Sequence, residues 1–81
     1  MKNQQLVRQF GLEVKRRRAE LGITQEEFAH ISGLHRTYVS GIERGDRNPT
    51  IDIVFSIASA LKCEVSEIMP SVLSGKDAAL Q

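Results

Sequence analysis

The stretch from Thr24 to Asn48, TQEEFAHISGLHRTYVSGIERGDRN, constrains the fold more than any other part of the chain. Thr24 and Glu27 stand at T-x-x-E spacing, where a hydroxyl and a carboxylate satisfy free backbone N–H groups at a helix start. Gly33 stands where that helix, predicted over Gln25–Ser32, must stop, because glycine takes the left-handed conformation without Cβ strain. A second short helix is predicted from His35 to Arg44, and Gly45 ends it in the same way. The pattern is therefore two short helices across a glycine turn, followed by a basic exit loop.

The flanking segments are also helical in pattern. Leu6, Phe10, Val14 and Leu21 share one face of a helix predicted from Gln4 to Leu21. Gly11 inside it costs about 1 kcal/mol against alanine, and Gly22 is the stop. Lys15 to Arg18 occupy consecutive positions and point all round the helix, so they make no single anion-binding face; Lys15 and Arg16 read as solvated. Arg18 differs, lying four residues beyond Val14 on the apolar stripe. A charge there needs a partner. Glu43 is the candidate, an acid near a helix C-terminus where the dipole disfavours it. The helix from Gln25 offers Phe28, Ala29 and Ile31 to a core. Asn48-Pro49-Thr50 breaks and then caps a helix over Ile51–Leu61, with one core stripe of Ile51, Val54, Phe55, Ala58 and Leu61 and a second of Ile53, Ile57 and Ala60. Ser66 is expected to cap a short fifth helix through Ile68 and Met69, limited by Pro70. Ile68, Met69, Val72 and Leu73 are candidates for a subunit surface, and residues 74–81 are expected to form a flexible tail. The expected fold is all-α, a compact five-helix domain over residues 1–73.

Eighty-one residues allow one domain, and 41% apolar content with three Phe, one Tyr and no Trp makes its core aliphatic. No apolar run approaches the ~20 residues that cross a bilayer, and the N-terminus lacks the apolar segment of a secretory leader. Cys63 has no second cysteine to pair with, which points to a reducing cytoplasm and a role as apolar filler. His30 and His35 are five apart with no cysteine cluster, so no metal and no cofactor is expected. No nucleophile–base pair, carboxylate pair or phosphate loop suggests an enzyme. Residues 1–47 carry nine Lys and Arg against six Asp and Glu, a balance of +3, whereas residues 48–81 carry two against four, a balance of −2. One half thus suits a polyanion.

Thr24-Gln25, Phe28-Ala29, Gly33, Val39, Ile42-Glu43, Gly45 and Arg47-Asn48-Pro49-Thr50 together resemble the Cro/repressor-like helix-turn-helix family of DNA-binding regulators, over about residues 6 to 69. The resemblance implies a repressor-like DNA-binding domain whose second short helix enters the major groove. It also implies that an Arg at position 18 pairs with a Glu at position 43, that Gln25 clamps a phosphate, and that positions 35 to 37 and 40 to 41 face the bases. The glycine that the family often has after the fourth helix is Lys62 here. Arg36 to Arg44 is similar to the corresponding helix of restriction–modification controller proteins, and generic regulators and phage repressors share much of the string.

Placed at 100° steps, Val39, Ile42 and the base of His35 lie on one side of this helix. Thr37, Ser40, Gly41 and Arg44 lie on the other, with Arg36 and Tyr38 on the flanks. By residue type alone that polar side fits solvent and a DNA groove equally; the resemblance favours DNA. Arg36 suits a bidentate contact to guanine, Thr37 and Ser40 offer hydroxyls to base edges, and His35 can reach a base or a phosphate or cap the helix. Gln25, Tyr38, Arg44, Arg47 and Asn48 suit phosphate contacts that position the protein. The leading expectation is a homodimeric, sequence-specific regulator on double-stranded DNA bearing an inverted repeat, with no ligand-sensing domain and no membrane association. The rival is an antitoxin or phage-type repressor that acts with a protein partner.

Overall fold

Local rules set the helix ends as the sequence predicts. Thr24 Oγ1 accepts from the Glu27 N–H at 3.0 Å and the Thr24 N–H donates to Glu27 Oε1 at 2.8 Å, closing a reciprocal cap. Gly33 and Gly45 sit at φ 78° and 82°, each ending a helix in the left-handed region. Thr50 caps the next helix by accepting from the Ile53 N–H at 3.4 Å. Lys62 closes that helix at φ 59°, the one non-glycine residue of positive φ among the described residues. The computed structural model describes residues 4–71. Five helices lie among them: α1 Gln4–Glu20, α2 Gln25–Ser32, α3 Arg36–Arg44, α4 Ile51–Leu61 and α5 Val65–Ile68. None is long and apolar enough to cross a membrane.

One core joins all five helices, built from Phe10 and Val14 of α1, Phe28 and Ala29 of α2, Val39 and Ile42 of α3, five residues of α4 and Ile68 of α5. Burial separates from the predicted stripes at defined places. The buried edge of α1 is Val7, Phe10, Gly11 and Val14; Leu6 is only half-buried, and Leu21 lies beyond the helix and is exposed. Ile31 of α2 is exposed. On α4 the buried arc runs from Val54 and Ala58 through Leu61 and Ile57 to Ala60, leaving Ile51 at 65% exposure and Phe55 at 58%. So small a domain covers an apolar helix on one side only, and Ile51 and Phe55 fall at the open edge. Ser66 lies inside α5, whose N-cap is Glu64. Ile68, a candidate for a subunit surface, is 1% exposed and belongs to the monomer core, while Met69 is exposed. Val72, Leu73 and residues 74–81 lie outside the described residues.

The basic run on α1 is largely neutralised by its own chain. Arg16 pairs with Glu13 and Glu20, and Arg17 with Glu13 and with Glu67 of α5. The Arg16 hydrogen bond leads the effects that hold the Glu13 carboxyl below its ordinary pKa. Cys63 is half-buried against the core, and burial pushes its thiol pKa up, as befits a filler.

Gly11 explains how α1 and α3 come so close. A Cβ there would lie 2.1 Å from the Ile42 carbonyl oxygen and 3.0 Å from that of Glu43. On the far side of the same joint, a Cβ on Gly45 would lie 3.1 Å from Arg8 Cα. Gln4 Nε2 donates to the Gly45 carbonyl at 3.2 Å, tying the start of α1 to the end of α3. Helix propensity alone would make Gly11→Ala stabilising by about 1 kcal/mol. The collision with backbone reverses that sign, because a carbonyl cannot rotate away as a side chain does. Gly11→Ala is expected to lower the unfolding free energy by about 1–3 kcal/mol, read as a fall in the midpoint of a thermal or urea unfolding curve.

Candidate nucleic-acid interface

α3 is held at its back by a buried carboxylate. Glu43 has a side chain only 3% exposed and lies where α1, α2 and α3 meet. Arg18 Nε donates to Glu43 Oε2 at 2.7 Å and Arg18 Nη2 to Glu43 Oε1 at 3.1 Å, a bidentate pair. Arg18 Nη1 donates to the Ile23 carbonyl at 2.8 Å, which pins the turn between α1 and α2. Its hydrogen bond to Glu43 raises the Arg18 pKa, so the guanidinium stays charged. Gln25 Nε2 adds a third hydrogen bond, to Glu43 Oε1 at 3.0 Å. Gln25 is thereby fixed at the first position of α2, beside helix-start N–H groups that lack intrahelical partners. The predicted ion pair is present, and the glutamine is part of it.

The opposite side of α3 is open. Arg36 and Thr37 are exposed in its first turn, and His35 precedes them as an N-cap that makes no side-chain capping bond. Ser40 and Tyr38 are half-buried. Arg44, Arg47 and Asn48 are exposed beyond them. On this side Arg44 is hydrogen-bonded to Ser40 and Arg47 lies against Gly41 and Tyr38, while His35, Arg36, Thr37 and Asn48 are exposed and Gln25 is half-buried at the start of α2.

Two features of this face differ from the sequence reading. Arg44 is engaged within the protein: Nε donates to Asp46 Oδ2 at 2.8 Å and Nη1 donates to Ser40 Oγ. Asp46 was thus a missed participant, although an acid two residues beyond Arg44 is a sign of such pairing. Gly41, expected to face the bases, is buried. The stem of Arg47 lies over it, and the Arg47 guanidinium carbon stands 5.5 Å from the centroid of the Tyr38 ring. Among the described residues no group of three or more His, Cys, Asp or Glu side chains converges as a metal site.

Comparison with known proteins places these features in context. The helix-turn-helix family model matches residues 14–68, from the middle of α1 to the end of α5. Control protein C.SmaI of Serratia marcescens is 43% identical over 47 residues, which cover 58% of this chain and 56% of that protein, little more than half of the relative. Control protein C.BamHI of Bacillus amyloliquefaciens is 38% identical over 61 residues, covering 74% of this chain and 75% of that one. The crystal structure of the restriction–modification controller protein C.AhdI from Aeromonas hydrophila superposes with a TM-score of 0.80 at 35% identity, covering 85% of this chain and 100% of that chain.

Arg18→Met keeps the stem and removes the charge, stranding a buried Glu43. The cost is expected to be about 3–5 kcal/mol, measured as a lowered midpoint in denaturant unfolding; a loss under 1 kcal/mol would contradict the role given to this pair.

Proposed function

The chain belongs to the helix-turn-helix family, and from that membership we propose that it is a sequence-specific DNA-binding regulator of transcription, acting as a homodimer on an inverted repeat. The observation that supports this reading best is the unobstructed first turn of α3. Arg36 and Thr37 stand clear of the domain there, with Gln25 at one flank and Arg44, Arg47 and Asn48 at the other. Arg36 gives a bidentate pair of hydrogen bonds to guanine, Thr37 and Ser40 meet neighbouring base edges, and His35 reaches a base or phosphate. Gln25, Tyr38, Arg44, Arg47 and Asn48 grip the backbone on either side. Similarity to the control proteins C.SmaI and C.BamHI favours a controller of a restriction–modification operon.

One α3 reads too few base pairs for a genome-wide address, and two-fold pairing supplies a second half-site about 34 Å away. The pairing surface that suits this purpose is the apolar edge left open on the monomer. Phe55 and Ile31 line one shallow groove between α4 and α2, and Ile51 stands one turn before Phe55. A second copy of the chain would cover these side chains, together with Met69.

Selection of bound sequences from random duplex DNA tests the reading directly; two inverted half-sites are expected. Arg36→Ala should weaken specific binding by about 1–3 kcal/mol and relax preference at one position. Gln25→Ala should weaken binding on every sequence alike, with an unchanged salt slope because a neutral amide displaces no counterion. Phe55→Glu should convert the dimer to monomer in sedimentation and lower operator affinity at least tenfold, with the helical circular dichroism retained.

A further inference from the structure

We propose that Asp46 is a positioning residue for specificity: it holds Arg44 on the Ser40 oxygen and so makes the Ser40 hydroxyl a hydrogen-bond donor to a base edge. This rests on the DNA-binding reading above. Asp46 is the first residue past the left-handed glycine that ends α3. Its N–H donates to the Gly41 carbonyl at 2.8 Å, which fixes its backbone against the helix end. From there its Oδ2 accepts from Arg44 Nε at 2.8 Å. Arg44 Nη1 in turn donates to Ser40 Oγ, four residues earlier on the same face of α3. An acid outside the helix thus reaches, through one arginine, a hydroxyl on its outward side.

These bonds leave Ser40 with one defined capacity. A hydroxyl carries one proton and two lone pairs. A helical serine commonly spends the proton on a carbonyl of the preceding turn, as Ser32 does when its Oγ donates to the Ala29 carbonyl at 3.3 Å. Ser40 makes no such bond: among the described residues its side chain is engaged by Arg44 alone, and there its oxygen accepts. Its proton is therefore unspent. The guanidinium beside the oxygen draws electron density from the O–H, which strengthens it as a donor, and repels the amino hydrogens of cytosine and adenine. Ser40 then favours an acceptor, a purine N7, guanine O6 or thymine O4. Arg44 keeps donors for a phosphate, because a guanidinium carries five and these bonds use two. The acid has a second effect. A carboxylate more than half exposed beside a surface that meets phosphates lowers affinity for every duplex. Asp46 therefore weakens binding in general and sharpens it at one base pair.

Selection from random duplex DNA, followed by titration of the selected and of scrambled duplexes, tests this with the wild-type chain, Ser40→Ala, Asp46→Ala and the double variant. Ser40→Ala is expected to lose preference at one base pair per half-site, by roughly three- to tenfold, at a position distinct from the one that Arg36→Ala relaxes. Asp46→Ala should lose preference at that same pair and yet bind scrambled DNA roughly two- to fivefold more tightly. The double variant should lose no more preference there than Ser40→Ala alone, because the acid acts through the hydroxyl. A merely structural role for Asp46 would not move general affinity and base preference in opposite directions. Asp46→Ala with wild-type preferences, or relaxed at a different pair, would overturn the proposal while leaving the regulator reading intact; so would Ser40→Ala with unaltered preferences. A wild-type chain that enriches no sequence would overturn both. Thermal unfolding midpoints close to wild type confirm that the variants are folded. If Ser40→Ala is unstable, Asp46→Ala, an exposed change, keeps the test decisive, since it must still lose one preference while gaining affinity for scrambled DNA.

Discussion

A single buried carboxylate organises the domain. Glu43 takes hydrogen bonds from Arg18 on α1 and from Gln25 on α2 while belonging to α3. Removing such a charge from water is tolerable only when its lone pairs are satisfied, and here three donors meet it. The same bonds set the relative placement of the three helices, because a bidentate guanidinium–carboxylate pair is directional in a way that aliphatic packing is not. The Arg18 bond to the Ile23 carbonyl extends that control to the turn from which α2 starts. What α3 presents on its outer side is thus decided by what Glu43 is bound to on its inner side.

The outer face divides into groups that are held and groups that are free. Arg44 is closed by Asp46 and Ser40, and Gln25 by Glu43, whereas Arg36 and Thr37 stand exposed. The held groups give the face a fixed shape. On the reading proposed above, that shape is what meets DNA.

Much of this was legible in the sequence because it depends on local chemistry. The cap at Thr24, the left-handed glycines and the ends of α2 and α4 follow from one or two residues each. The pairing of Arg18 with Glu43 was legible because each alone sits where a charge is costly. What escaped depends on three-dimensional neighbours. Periodicity places Ile31, Ile51 and Phe55 on apolar stripes but does not say that the domain runs out of partners before covering them. Ile68 was read as a candidate for a subunit surface because the sequence does not show that α5 packs back on α4 and α1. Gly41 was read as a base-facing position, since nothing local reveals that a residue six places later lies over it. Gly11 carried a signal that was underused: a glycine within a strong helix marks a place where another backbone must pass.

The contact at Gly11 has a consequence for how such a domain can change. Where two helices meet through backbone atoms, their separation is set by peptide geometry, not by the bulk of aliphatic side chains. Isoleucine, valine and leucine elsewhere in the interior are then free to drift among similar shapes without tilting α3. On the proposed reading, the exposed side chains of α3 can vary on a mount that stays in place, so a lineage can acquire a new target by exchanging a few of them while its architecture stands still.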